Sequence, residues 1–290
     1  METSKGYGLL ILLGVIWGLA FVAIRRADFE LSWVNLTLLR WFLVSACFIA
    51  LYPFLVKPKA RLQRKDLPRL VVVSLANVPL YHLSLNFAEK TVPASLAGLL
   101  ISLGPVFTVT FSTVLLKERV GRALKIALPL ALFGTILISI PDLDLGASSA
   151  LGPLAVVLAA FASGAYTVVS KPLVVKYGAF PVAAWAALIG TATLLPLTSG
   201  NLVTQAESLS LGGWASVLYL VILSTVVGNL IVYTLIGRQQ VSRLGVQLFL
   251  VPVVSVVGGV LILGETLDTY TILGGAIMLI AVGVATRVGR

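Results

Sequence analysis

Residues 97–119 read AGLLISLGPVFTVTFSTVLLKER, and residues 244–266 read LGVQLFLVPVVSVVGGVLILGET. A shift of 147 lays one over the other, Gly98 on Gly245, Pro105 on Pro252 and Glu118 on Glu265, with Ser95 on Ser242 just outside. Proline and glutamate are costly inside long apolar runs, so their coincidence points to a duplication rather than to chance likeness of Leu-rich segments. Further out, a shift of 146 places Gly18 on Gly164 and Arg25 on Lys171. The chain is read as two units, 1–147 and 148–290.

Composition names the solvent of both units. Of 290 residues 59% are apolar and 11% charged, and the mean hydropathy is +1.05, values that a water-soluble fold does not reach. At roughly 20 residues per span, ten spans consume about 200 residues and leave about 90 for loops and tails. Hydropathy predicts helices over 7–25, 34–56, 69–88, 93–116, 123–141, 152–171, 179–197, 212–236, 241–264 and 270–287. The apolar runs lack the in-out alternation of a barrel strand, so the expected class is an all-α integral membrane protein. Five spans per unit is an odd number. The second unit therefore enters the bilayer from the opposite side, giving two inverted-topology five-helix repeats. The first apolar run is followed by Arg25 and Arg26 rather than by a small-residue cleavage site, and is read as a retained helix.

The net charge of +10 invites a nucleic-acid reading, which position removes. With ten spans, 17 of the 21 basic residues fall on the side of the two termini, Arg25, Arg26 and Lys90 fall on the other, and Arg40 lies within a span. Both termini are expected to be cytoplasmic by the positive-inside bias. A single cysteine, Cys47, excludes an internal disulfide. One histidine and one cysteine on different helices supply no metal set, no GxxxxGK[ST] loop is present, and no cofactor or catalytic group is expected.

Polar side chains deep in hydrocarbon face a cavity or another helix, because an unpaired polar group there is costly. The third predicted helix carries Asn77, Tyr81 and Ser84 on one face and His82, Asn86 and Glu89 on an adjacent one. Pro79 at its centre removes a backbone donor and predicts a kink. The shift of 147 maps His82 onto Asn229, within a run that also holds Ser224, Thr225 and Tyr233. Trp17, Phe21 and Tyr81 offer flat apolar surfaces, whereas Trp33, Trp214 and Tyr270 sit near helix ends as interface anchors. His82 either bonds across helices as a neutral imidazole, touches substrate or couples protons. Arg40 either snorkels outward, pairs with Asp28 or Glu30, or attracts a substrate carboxylate. Glu118 and Glu265 close their helices and are read as structural caps. Pro79, Pro105 and Pro252 are the expected hinges.

Phe87–Ile138 and Leu244–Val284, together with Trp17-Gly18 and Leu39-Arg40-Trp41, resemble the EamA repeat of the drug/metabolite transporter superfamily. Within it the Pro79-Leu-Tyr81-His82 run, Trp17 and the ten-helix length are most similar to YddG-type aromatic amino-acid exporters. In the second repeat Ser163-Gly164 stands where the first has Trp17-Gly18, and Ser163 and Tyr166 join the expected cavity. The resemblance implies a secondary transporter of the bacterial inner membrane, not an enzyme, exporting aromatic or neutral amino acids or similar amphipathic metabolites by alternating access. The rivals are efflux of quaternary cations and, in another class, a membrane enzyme or receptor. The expected partners are a small-molecule substrate and the lipid bilayer, without nucleic acid, and a monomer suffices.

Overall fold

The computed structural model describes residues 3–56, 62–119, 121–143, 150–198, 200–238, 241 and 250–287, and among these every regular element is a helix. They are α1 (Thr3–Ala27), α2 (Trp33–Leu55), α3 (Arg64–Ala88), α4 (Ala94–Leu115), α5 (Arg122–Leu143) and α6 (Leu151–Tyr177). There follow α7 (Ala179–Leu197), a short α8 (Asn201–Glu207), α9 (Leu211–Arg238), α10 (Leu250–Leu263) and α11 (Thr269–Arg287). Among the described residues seven helices are long and apolar enough to cross a membrane: α1, α2, α3, α4, α6, α7 and α9. The helix expected over 241–264 falls partly on 242–249, outside the described residues.

The bundle is apolar outside and polar within, as lipid demands. Phe54, Leu211 and Leu261 are each more than three-quarters exposed, whereas Arg40, Asn77, His82, Asn86 and Asn229 are buried. α6 runs past the predicted end at 171 because Lys171 and Lys176 extend beyond the apolar stretch, and it stops at Gly178, whose φ of 89° reverses the chain.

Contacts between the two units are exchanged pairwise. α1 packs on α10 and α9, while α6, its counterpart, packs on α4 and α3. α2 meets α9 as α7 meets α3, and α2 with α7, α4 with α10 and α5 with α11 pack as self-related pairs. The closest crossings obey the same rule. A Cβ added to Gly18 would lie 2.5 Å from Val254 Cβ, and one added to Gly164 would lie 2.6 Å from Phe107 Cβ and 2.8 Å from the Thr108 nitrogen. Residue 107 is 147 positions before 254. Only glycine lets the helix axes approach so far.

The helix ends repeat as well. Lys117 (φ 55°) and Gly264 (φ 68°) turn the chain so that the next N–H reaches back six residues, Glu118 to the Ser112 carbonyl and Glu265 to the Gly259 carbonyl. Lys117 is the single non-glycine with positive φ among the described residues. Left-handed backbone costs an ordinary L-residue about 1–2 kcal/mol, part of which glycine returns through its freer unfolded chain. Lys117→Gly is therefore expected to raise stability by about 0.5–1 kcal/mol, and Gly264→Ala to lower it, in a thermal melt of detergent-solubilised protein.

α3 and α9 each contain a widened, π-helical stretch near the middle, Ala76–Leu83 and Tyr219–Val227. Pro79 accounts for the first, since its missing N–H leaves the ordinary ladder incomplete. In the second a hydroxyl does similar work: Thr225 Oγ1 donates to the Leu220 carbonyl five residues back, at 2.7 Å. The kink predicted at Pro79 is thus a bulge, absorbed without breaking the helix.

Candidate functional site

A cavity of about 100 Å³ lies where α1, α2, α3, α4, α6, α9 and α10 converge. A single water needs only about 10–15 Å³, so the space admits a small solute. Its wall is assembled from repeat-related positions. At a shift of 146, Trp17 pairs with Ser163, Ala20 with Tyr166 and Phe21 with Thr167. At 147, Asn77 pairs with Ser224, His82 with Asn229, Leu85 with Val232, Gly104 with Val251 and Pro105 with Pro252.

Of the cavity residues expected from sequence, Trp17, Phe21, Asn77, Tyr81 and His82 line it from the first unit, and Ser163, Tyr166, Ser224 and Asn229 from the second. Asn86 and Tyr233 do not. Asn86 Nδ2 donates to Thr37 Oγ1 at 2.8 Å, and Tyr233 is fully enclosed. Leu85 and Val232, eight residues past Asn77 and Ser224, face the cavity instead, and the same spacing in both units has one cause. A π turn takes about one extra residue, so the face of Asn77 and Ser224, which an α-helix brings round again after seven residues, returns after eight. Pro105 and Pro252 are in the wall, whereas Pro79 sits in the bulge behind it. Glu118 and Glu265 lie outside the wall.

The wall's aromatic side chains are held by the bulges. Trp17 Nε1 donates to the Ser224 carbonyl at 2.9 Å, within the widened stretch of α9, and Tyr219 Oη donates to the Ile16 carbonyl at 2.8 Å. His82 stands edge-on to Trp41 and Tyr81, with ring centroids 5.0 and 4.8 Å away, and Tyr81 meets Tyr166 at 6.4 Å. His82 Nδ1 is buried without a hydrogen-bond partner among the described residues. The wall therefore combines flat aromatic surfaces with amide and hydroxyl groups.

Arg40 departs from the expected pairing with Asp28 or Glu30. Its Nε donates to Thr225 Oγ1 at 2.8 Å and its Nη2 to Ser224 Oγ at 3.1 Å. The two acids are engaged elsewhere, Glu30 with Arg26 at 2.7 Å and Asp28 with Lys90 at 3.6 Å. α2 presses Arg40 against the α9 bulge, so its reach is spent inward rather than toward the helix end. Sequence reasoning also left out Ser102, Thr108 and Thr167, which line the cavity. Hydroxyls of this kind satisfy themselves on their own helix, as Ser102 does on the Gly98 carbonyl at 3.2 Å, so nothing in the sequence marks them.

Polar contacts gather in two groups, near opposite ends of α3. Near its start, Lys176 and Tyr177 meet Asp66, and Glu118 accepts from Lys171 Nζ at 2.9 Å and from the Val241 N–H at 3.2 Å. Past its other end, Glu265 accepts from the N–H groups of Ala94 and Ser95, at 2.7 and 2.9 Å. Position 241 is 94 plus 147, so each glutamate accepts a backbone N–H of the opposite unit at the equivalent place. Beside Glu265, Arg25 donates to the Glu89 carbonyl, and the carboxyl oxygens of Glu89 are buried without a hydrogen-bond partner. Burial pushes the Glu89 carboxyl well above the usual range, helped by Asp28 and Glu265 and opposed by Arg25 and Arg40. Asp28, just beyond α1, is lifted by burial to about 7 against the pull of Lys90 and Arg25.

Known proteins fit this arrangement. The model of the EamA-like transporter family matches residues 4–140 and again 150–287. A protein of Streptantibioticus cattleyicolor named "Probable terminal-alkyne amino-acid exporter" is 32% identical over 99% of this chain and 95% of its own. One of Escherichia coli named "Probable amino-acid metabolite efflux pump" is 27% identical over 93% of this chain and 91% of its own. A solved crystal structure with 21% identity superposes with a TM-score of 0.73, covering 98% of this chain and 96% of the other, which establishes the likeness of fold. The chain is a membrane transporter belonging to the EamA-like transporter family, each half of it matching the family once.

Proposed function

We propose that the protein is a secondary transporter built from two inverted five-helix repeats, 1–147 and 148–290, ten spans in all, which expose one central cavity alternately to each side of a bacterial inner membrane. Its substrates are amino acids, aromatic or neutral, or similarly small amphipathic metabolites, moved outward, and both termini are cytoplasmic. The observation that carries this reading is the pairing in the cavity wall. Eight wall positions of the first unit have their repeat-related position in the wall too. A cavity shared symmetrically by oppositely inserted repeats is what alternating access by rocking requires. The exchanged helix contacts and the exchanged glutamate caps support the inversion. Pro105 and Pro252, both in the wall, are the hinges this motion would use.

Trp17, Phe21, Tyr81 and Tyr166 would receive an apolar side chain, and Asn77, His82, Ser163, Ser224 and Asn229 the polar end. Names of related proteins favour amino acids. Efflux of quaternary cations needs an anionic group to hold the cation, and the charged residue of the described wall is Arg40.

Purified protein in liposomes loaded with single amino acids should exchange at least one aromatic or neutral amino acid at ten or more times the rate of empty liposomes. Absence of counterflow across all amino acids would overturn the substrate reading. Tag mapping that put the segments around Lys65 and Glu207 in one compartment would overturn the inverted arrangement.

A further inference from the structure

Arg40 is the one charged side chain of the described cavity wall, and it breaks the wall's symmetry. The equivalent positions in α7 hold Ala186 and Ala187. Seven residues into α2, about 10 Å along its axis, it is 3% exposed. Its two hydrogen bonds go to neutral hydroxyls, which orient the guanidinium without neutralising it. The ion pairs of the described residues are Arg26 with Glu30, Lys90 with Asp28, Lys171 with Glu118 and Lys176 with Asp66, and none involves Arg40. Glu89 is the acid whose field reaches it, and burial without a hydrogen-bond partner pushes that carboxyl well above the usual range.

A buried cation without a counter-charge is expensive, and an anion arriving in the cavity removes that cost. Five donors belong to a guanidinium, and Thr225 and Ser224 take two of them. What remains is Nη1 and one hydrogen of Nη2, a fork that matches the two oxygens of a carboxylate. The aromatic surfaces of Trp17, Phe21 and Tyr81 belong to the same cavity.

We propose that Arg40 is the substrate-carboxylate anchor of this transporter, gripping the carboxylate of an amino acid whose side chain lies on the aromatic wall. The assignment rests on the transporter reading above and deepens it. It also gives binding a mechanical outcome, because Arg40 belongs to α2 of the first unit and its hydroxyl partners to the α9 bulge of the second. A carboxylate on the free edge of the fork ties substrate to both units at once.

The test is competition against counterflow of labelled phenylalanine, or of whichever amino acid exchanges best, by four probes: the amino acid, its carboxamide, its decarboxylated amine and its desamino acid. Wild-type protein should accept the amino acid and the desamino acid and bind the carboxamide and the amine at least tenfold more weakly. Arg40→Lys keeps the charge but loses the fork, and should raise KM about tenfold. Arg40→Met should lose the preference for acid over amide while melting at or above the wild-type temperature, since a buried unpaired cation has been removed. A purely structural arginine would lower the melting temperature and leave the preference intact. Equal competition by amide and acid in the wild-type protein overturns the assignment even where the Met variant fails to fold, while leaving a transporter in place. Absence of exchange of any probe by wild-type protein overturns the transport reading itself.

Discussion

Glu265→Ala is expected to open one end of the bundle, and Glu118→Ala the other. α4 begins at Ala94 after Pro93, with no side-chain cap of its own, so the carboxylate of Glu265, from the other unit, satisfies its first free N–H groups. Hydrogen bonds to a charged group contribute about 1.5–3 kcal/mol each, and two of them amount to roughly 3 kcal/mol at the lower figure. Losing them should shift the closed-to-open balance at that end by about a hundredfold, since 1.4 kcal/mol is a factor of ten. Glu118 holds Lys171 and the Val241 N–H at the opposite end and should behave as its mirror image. Cys47 is the only cysteine, so a Cys47→Ser background permits single reporters. Val92→Cys near Glu265 and Val174→Cys near Lys171 are buried positions for a membrane-impermeant thiol reagent. Each glutamate variant should accelerate labelling at its own reporter alone. Acceleration of both reporters by either variant, or of neither, would remove the latch role. Glu265→Gln, which keeps an acceptor without the charge, should fall between.

Raising the pH from 5 to 8 should loosen the Glu265 end by itself. Asp28 and Glu89 are buried there, facing Arg25, Lys90, Glu265 and Arg40. In the closed end Asp28 titrates near 7, against 3.8 when hydrated. The closed form thus binds more protons than the open one, and its advantage is fullest below about 4 and declines as the pH climbs from there to about 7. For Asp28 alone the decline amounts to roughly 4 kcal/mol at 1.36 kcal/mol per pH unit. Glu89, also raised, shifts in the same direction. Labelling of Val92→Cys, normalised to a free thiol at each pH, should rise across this window, and Asp28→Asn with Glu89→Gln should flatten the profile. An unchanged profile in the double variant would show that other groups set the pH response.

Much of this architecture is legible in the chain itself. Pro105 over Pro252 and Glu118 over Glu265 disclose the repeat, because both residue types are conspicuous in lipid. The polar faces around Asn77 and Ser224 announce a wet interior. What escapes the sequence is rotational phase. An undistorted 3.6-residue period brings the face of Asn77 and Ser224 round again at Ser84 and Ile231, and a bulge, to which the isolated Pro79 gives only a partial clue, moves it on to Leu85 and Val232. Partnership across helices escapes as well. Proximity in sequence favours Asp28 or Glu30 for Arg40, and only the packing of α2 on α9 sends it to two hydroxyls. Glu118 and Glu265 are readable as caps, but the backbone N–H groups they accept belong to the other unit, and hydropathy carries no information about which distant N–H groups lie nearby.

The glycine crossings have a mechanical corollary. Where Gly18 abuts Val254 and Gly164 abuts Phe107 there is no room for a Cβ, and helices packed so closely would travel together in the proposed motion. In the proposed rocking motion each pivoting lobe would consequently be a hybrid, the opening helix of one gene copy joined to the fourth of its twin. Ancestry and the proposed machinery would then be partitioned along different lines, so cutting the polypeptide between its duplicated segments would sever both moving bodies rather than separate them.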